Sequence, residues 1–300
     1  MIQTAVLNFL LEIAVISFIF PVVFVLVWKM RHHKSFRPVF IGMGAYFVFS
    51  QLFTSIPYMI LIQAGHPIGK AIRSNALALA LCTGLITAIL EEFGRLVAFK
   101  RFMTEQDGKE RETAISYGLG HAGLACMFTL GWGNLQYYVA ATLINSNDAT
   151  VKELPATILN VLKGMTSADC ILNGLIAVAS FALQIALSVM IFQAFRNSKL
   201  CKRLMAYAIG LHTIFYLPQG LYDIHVVPKA VEFVLALVVM AAAVAFAAHI
   251  YHEMGVKEEE QKKKTKRKGT SAPDEKNWAV ANKKLSDIPT KKYNFARTDL

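Results

Sequence analysis

The strongest constraint on the fold is a succession of seven long apolar stretches that carry almost no charge. Each is long enough to cross the hydrocarbon layer of a membrane, which takes about 20 helical residues. Charged residues make up only 17% of the 300-residue chain, whereas soluble domains are about a quarter charged. The stretches are Val6–Trp28, Val39–Ile62, Asn75–Phe99, Thr113–Ile144, Asp169–Phe195, Leu204–Leu221 and Val227–Tyr251. We therefore predict an all-α, polytopic membrane helix bundle with about seven transmembrane helices, located in the cell membrane.

The basic residues of the connecting loops predict the orientation of the bundle. The loops after the first, third and fifth stretches each contain four Lys or Arg residues, and the loops that alternate with them contain one or two. Cytoplasmic loops are enriched in these residues. We therefore expect the N-terminus outside, the C-terminus in the cytoplasm and an odd number of spans. The first stretch lacks the basic region that starts a secretory signal, so we expect it to be retained.

Two domains are predicted: a transmembrane helical domain over residues 1–252 and a basic, disordered cytoplasmic tail over residues 253–300. The tail is polar and shows no helical periodicity. The net charge of +11 is explained by basic loops and a basic tail beside the anionic inner leaflet of the lipid bilayer, so no nucleic-acid partner is expected. The four cysteines form no C-x-x-C pair and indicate neither a disulfide framework nor a zinc ribbon.

Charged residues inside a membrane span are costly, so each one needs a reason. The third stretch contains the adjacent acids Glu91 and Glu92, followed by Arg95. On a helix, Arg95 lies within reach of either acid, at spacings of three and four residues. Adjacent helical residues point about 100° apart, so the two acids cannot have the same role.

Two histidines lie deep in other stretches, His121 in the fourth and His212 in the sixth. At about 1.5 Å per helical residue, both histidines and both acids lie roughly 13–15 Å from the ends predicted to be cytoplasmic. Histidines with unrelated structural roles would have no reason to share this depth with the acids. We therefore expect the four side chains to form one site.

Simpler interpretations stay open for each residue. A single intramembrane histidine is as often a helix–helix hydrogen bond as a catalyst, and either acid alone could be only the partner of Arg95. We interpret the other polar groups within or beside the spans, including Glu12, Asp169 and Gln184, as helix packing or interfacial groups.

These motifs resemble the glutamic-type intramembrane proteases and, within them, the YhfC family; the wider superfamily includes the CAAX-processing and bacteriocin-processing enzymes. Its pattern is Glu-Glu…Arg on one membrane helix, a His on the next and a second His on a later one. Here the matches are Glu91, Glu92 and Arg95, then His121, then His212. The resemblance covers about residues 35–250 and implies a helical membrane fold with peptidase activity.

The chain departs from the family pattern at two positions. Ala125 stands where the YhfC group commonly has a Glu, and Tyr216 stands where an Asn often follows the last His. Stabilisation of an oxyanion would then come from Tyr216, Arg95 or the backbone. An inactive member of the family is an alternative.

Three functions remain open. In the first, Glu91 or Glu92 takes a proton from water, His121 supports it, His212 donates to the oxyanion, and the substrate is a membrane protein or hydrophobic peptide that enters from the cytoplasmic half. We expect no cofactor, with a variant that holds zinc on His121, His212 and Glu91 or Glu92. In the second, the protein is an inactive membrane scaffold of the same fold. In the third, it is a proton-coupled transporter with a carboxylate–histidine relay.

Overall fold

The computed structural model describes residues 1–223 and 226–270, and this part of the chain consists of helices and loops, without a strand. The α-helices are α1 (Thr4–His32), α2 (Arg37–Ala45), α3 (Ser55–Tyr58), α4 (Pro67–Ser74), α5 (Ala76–Phe102), α6 (Glu105–Lys109), α7 (Glu112–Cys126), α8 (Gly133–Asn145), α9 (Ala156–Gly164), α10 (Ser167–Arg196), α11 (Ser198–Asp223) and α12 (Lys229–Thr270). Three π-helical segments, Tyr46–Phe53, Met59–Gln63 and Met127–Trp132, extend α2, α3 and α7. The prediction of an all-α membrane bundle is confirmed.

Each predicted stretch falls on one or two of these helices, with the largest difference at the end of α12, which continues 19 residues beyond the predicted Tyr251. In the described part of the chain, five helical segments are long and apolar enough to cross a membrane: Thr4–His32, Arg37–Gln63, Ala76–Phe102, Ser167–Arg196 and Lys229–Thr265. The fourth and sixth stretches correspond to α7–α8 and to α11. The count of seven spans and their orientation stay predictions.

Side-chain caps explain where the helices that carry the site begin. The Asn75 side chain accepts a hydrogen bond from the Ala78 amide at the start of α5. Thr166 and Asp169 form a capping box at the start of α10, which satisfies amides that would otherwise lack partners. Asp169 is therefore a capping residue at the end of a span, in keeping with its interpretation as interfacial.

The α2 and α7 backbones touch at two glycines. A Cβ added to Gly42 of α2 would lie 2.9 Å from the His121 amide nitrogen, and one added to Gly120 of α7 would lie 2.7 Å from the Val39 carbonyl carbon. Small residues allow membrane helices to approach this closely. The contact fixes the position of α7, and with it that of His121. Elsewhere α5 packs against α11, and α10 packs against both α7 and α11.

A layer of buried aromatic rings fills the bundle between the predicted site and the basic loops. Phe99 follows Arg95 on α5, Tyr117 precedes His121 on α7, and Phe192 lies near the end of α10. The Phe99 ring lies 4.5 Å from that of Tyr117 and 5.1 Å from that of Phe192, measured between ring centroids. All three side chains are almost fully buried, so this layer closes the basic end of the bundle.

The bundle forms one compact unit over Met1–Gly255, and the described residues 256–270 belong to a second unit. Helix α12 continues through Thr270, so residues 253–270 of the predicted tail are helical. Residues 271–300 lie outside the described part of the chain, and for them the prediction of disorder stays a prediction.

Candidate active site

The acidic pair and Arg95 lie on the buried face of α5. Glu91 is 5% exposed, and Glu92 and Arg95 are fully buried. The Arg95 guanidinium lies between the two acids, with Nη2 3.4 Å from Glu91 Oε2 and Nε 3.2 Å from Glu92 Oε2. The spacings of three and four residues place all three groups on one side of the helix. Arg95 thus pairs with both acids rather than with one of them.

His212 of α11 joins the two acids from the opposite side. Its Nδ1 lies 2.8 Å from Glu92 Oε1, and its Nε2 lies 3.8 Å from Glu91 Oε2. A hydrogen bond of this length places the proton of a neutral imidazole on Nδ1. Nε2 of the neutral ring then faces Glu91 as an acceptor, and the proton of the ring is directed at Glu92.

His121 of α7 completes the cluster on the other side of Glu91. Its Nε2 lies 3.2 Å from Glu91 Oε2 and 2.8 Å from Arg95 Nη2. Because Arg95 can only donate, His121 Nε2 accepts from the guanidinium. The other ring nitrogen, Nδ1, is buried and has no hydrogen-bond partner among the described residues. The structure therefore brings together all five side chains that the sequence singled out.

Helix α10 supplies two members of this network that sequence reasoning did not assign to the site. Arg95 Nη1 donates to the Gln184 main-chain carbonyl at 2.8 Å and to Ser188 Oγ at 2.7 Å. Arg95 Nη2 also donates to Gln184 Oε1. The Gln184 amide nitrogen lies 3.4 Å from both His212 Nε2 and Tyr216 Oη. Gln184 therefore connects the guanidinium to the second histidine and to the tyrosine.

A cavity of about 340 Å³ opens from this cluster, and Glu91 is the one member of the acid–histidine group that lines it. Its wall includes hydroxyl groups of Thr83, Thr87 and Ser180, and it reaches Gly220 near the end of α11. These positions lie on the side of Glu91 away from the basic loops. The cavity thus lies on the side of Glu91 opposite the aromatic layer, and entry of substrate from the cytoplasmic half stays a prediction.

Both positions that depart from the family pattern lie on this cavity. Tyr216 lines the wall, and its hydroxyl lies 2.9 Å from Ser180 Oγ and within reach of Gln184. Ala125 lines the wall as well and contributes no polar group. Tyr216, with Ser180, therefore brings a hydroxyl group of the cavity into the same network as Glu91. Arg95 does not line the cavity, because its donors are held by α10 and the acids.

Comparison with known proteins identifies the family. A model described as "YhfC intramembrane metalloprotease" matches residues 16–254. The chain belongs to the YhfC family. It is 27% identical over 251 residues, 79% of its own length and 94% of the relative's, to the "Uncharacterized membrane protein YhfC" of Bacillus subtilis (strain 168). No solved structure gives a significant match. The family and the long apolar helices together show that this is a multi-pass membrane protein. Its family is described as one of intramembrane proteases.

The family description implies a metal ion. The cluster contains nitrogen and oxygen atoms of the types that bind zinc, but Arg95 lies among them. Glu91 Oε2 faces Nε2 of both histidines, and two imidazoles with a carboxylate form a known catalytic zinc set. However, Arg95 Nη2 lies 2.8 Å from His121 Nε2 and 3.4 Å from Glu91 Oε2. The guanidinium cation thus occupies the His121 Nε2 lone pair and faces the Glu91 oxygen that a metal would need, and no metal-binding group occurs among the described residues. The residues as arranged do not fit a metal ion.

Proposed function

We propose that this YhfC protein is a metal-free intramembrane peptidase that hydrolyses membrane-tethered polypeptides in the cavity at Glu91. The observation that carries the proposal is the exposure of one carboxylate to the cavity while the other acid and both histidines are buried behind it. A buried ion-pair network built only for helix packing has no need of a polar cavity at one of its members. This arrangement also supports the resemblance to glutamic-type proteases.

Glu91 acts as the general base. Its carboxylate takes a proton from a water molecule in the cavity, and the water oxygen forms a bond to the carbonyl carbon of the peptide. The proton then passes to the leaving nitrogen as the carbon–nitrogen bond breaks, which gives a carboxylic acid and an amine. A positioned base of this kind contributes a factor of about 10² to 10⁴ in rate.

Glu92 and the two histidines position that base. Glu92 accepts from His212 Nδ1 and so fixes the ring orientation and the tautomer, as a second carboxylate does for metal-bound and catalytic histidines. Arg95 donates to Glu91 Oε2 from the other side. His121 accepts from the same guanidinium group and so keeps it in place. The base is therefore held directly by Arg95 and indirectly by the histidines of α7 and α11, which act through Arg95 and Glu92; this preorganises it without substrate.

Tyr216 stabilises the oxyanion. Its hydroxyl lines the same cavity as Glu91, and Ser180 and Gln184 hold it in place. His212 Nδ1 faces Glu92 rather than the cavity, so the donor role is assigned to Tyr216. Tyr216, which stands where the family often has an Asn, would thus serve as the oxyanion donor.

Cleavage of labelled membrane peptides in lipid vesicles tests the proposal, with new termini read by mass spectrometry in ¹⁸O-labelled water. Wild-type protein is expected to place one ¹⁸O in each new carboxylate. Glu91→Gln is expected to lower the rate by about 10² to 10⁴, while Glu105→Gln, at an exposed position on α6, leaves it unchanged. Cleavage that survives in Glu91→Gln would end the proposal, and a wild-type protein that cuts nothing would favour the scaffold hypothesis.

The metal question has its own measurement. Protein purified without chelator is expected to contain less than stoichiometric zinc, and a chelator is expected to leave cleavage unchanged. One zinc per chain, lost in the double variant His121→Ala/His212→Ala, would instead show that Arg95 moves aside for a metal.

A further inference from the structure

A second cavity, here called the lateral groove, lies between α1, α10 and the segment that follows α7. Its walls are mostly apolar and include Phe9 and Ile13 of α1, Leu130, and Ile171, Leu175 and Val178 of α10. Its volume is about 320 Å³, within the range of about 300–1,000 Å³ usual for ligand sites. The three α10 residues are each about half exposed, so the groove opens sideways, where a membrane would lie.

The lateral groove adjoins the cavity at Glu91. Cys126 and Ala177 line both, so these two side chains form a shared wall. Phe20 lines the groove and Phe181 lines the cavity, and their rings meet edge to face with centroids 5.1 Å apart. The two spaces therefore share a wall that includes Cys126, Ala177 and this pair of aromatic rings.

One charged residue interrupts the apolar wall of the groove. Glu12 lines it and is exposed, and it makes no hydrogen bond or ion pair within the described part of the chain. It lies six residues inside the predicted first span, which is about 9 Å along the helix. A carboxylate at that depth costs a few kcal/mol, roughly, unless it is paired, so Glu12 requires a partner that the described bundle does not provide.

We propose that the lateral groove docks one apolar helix of a membrane polypeptide that carries a Lys or Arg at the level of Glu12. The apolar walls can pack against the helix, and the Glu12 carboxylate can pair with its basic side chain. The cavity at Glu91 lies on the other side of the wall that contains Cys126. A lipid chain would fill the groove but would leave Glu12 unpaired. The inference deepens the proposed function, because it names the class of substrate that reaches the same site.

A binding experiment with synthetic helices tests this inference without relying on cleavage. The probes are two peptides of about 20 Leu and Ala residues, one with a single Lys about six residues from its outer end and the other with Leu there. Both are mixed with the full-length protein in phosphatidylcholine–phosphatidylglycerol vesicles. A photo-reactive amino acid at Leu175, in the groove, reports docking, and the same amino acid at Val23, on the exposed face of α1, serves as control.

The Lys peptide is expected to cross-link at position 175 and not at position 23. Glu12→Gln is expected to weaken its binding by about three- to fifteenfold, the range for polar contacts between membrane helices, and to leave the Leu peptide unchanged. Gly174→Trp, which fills the groove, is expected to abolish cross-linking of both peptides. Ile19→Trp, at an exposed position outside the groove, is the matched control.

Equal cross-linking at positions 175 and 23, or no effect of Glu12→Gln on the Lys peptide, would overturn the inference and leave the groove as a lipid-facing crevice. Thermal unfolding of Glu12→Gln and Gly174→Trp verifies that both variants fold. Glu91→Gln is expected to bind the Lys peptide as wild type does. Binding without any cleavage by the wild type would refute the peptidase proposal and leave the docking site intact.

Discussion

Replacement of Arg95 by Gln is expected to destabilise the bundle more than any exposed substitution on α5. The guanidinium donates to the Gln184 carbonyl and to Ser188 Oγ, and it neutralises Glu91 and Glu92 at 3.4 and 3.2 Å. Glu92 is fully buried, so its carboxylate cannot gain water when the cation is lost. Removing one partner of such a buried pair costs about 3–5 kcal/mol.

The free energy of unfolding in mixed micelles, measured against increasing SDS, gives this cost directly. Arg101→Gln, at an exposed position on the same helix, is the control and should change stability by less than about 0.5 kcal/mol. Arg95→Lys keeps the charge but loses the planar fork, and we expect it to cost at least about 1.5 kcal/mol.

A second substitution identifies the origin of the loss. If the cost comes from an unpaired acid, Glu92→Gln should recover part of the stability of Arg95→Gln, with a coupling of about 1–3 kcal/mol between the two positions. A loss in Arg95→Gln no larger than in Arg101→Gln, or a Glu92→Gln change that adds to the loss, would refute the reasoning.

Three further predictions follow from the site, the packing and the loops. Tyr216→Phe should lower kcat by about 10² to 10³ with KM unchanged, since it removes an oxyanion donor; equal changes in kcat and KM would contradict that role. Gly42→Ala should lower the free energy of unfolding by about 1–3 kcal/mol, since its Cβ meets the α7 backbone, whereas Gly44→Ala, which meets no atom within 4 Å, should not. The Lys34 ammonium, 2.7 Å away, holds the pKa of Glu110 below its usual 4.5. The pair therefore stabilises the fold by at most about 1 kcal/mol above that pH, and this contribution is lost as the pH falls. The difference in melting temperature between wild type and Glu110→Gln should shrink on acidification, and a difference that grows would contradict the assignment.

The positions of the helices could be predicted because a membrane imposes one physical demand on every span. A run of about 20 apolar residues between charged loops predicts a helix, whatever its neighbours are. The π-helical segments Tyr46–Phe53 and Met127–Trp132 could not be predicted in this way, since hydropathy does not report the register of backbone hydrogen bonds. That register places Tyr46 and Gln51 on the cavity.

The ionisable residues of the site could be predicted from their position along the membrane spans, whereas the neutral residues of the site could not. Glu91, Glu92, His121 and His212 stand out because each is costly in a bilayer and all share one level. Gln184 is a single amide in a long apolar helix, and its partner Arg95 lies 89 residues away in the chain. Its contribution depends on which face of α10 meets α5, and this follows from the packing of the whole bundle.

The wide separation of the polar partners has a consequence for how the protein is made. When α5 leaves the ribosome, Glu91, Glu92 and Arg95 in its buried part carry a net negative charge, and His212, which binds Glu92, lies 120 residues further on. At about 5–20 residues per second, translation takes roughly 6–24 s to supply that histidine. Throughout this interval the nascent helix holds an unsatisfied carboxylate. We therefore expect α5 to reach its full stability in the membrane only when α10 and α11 have been made and supply its polar partners.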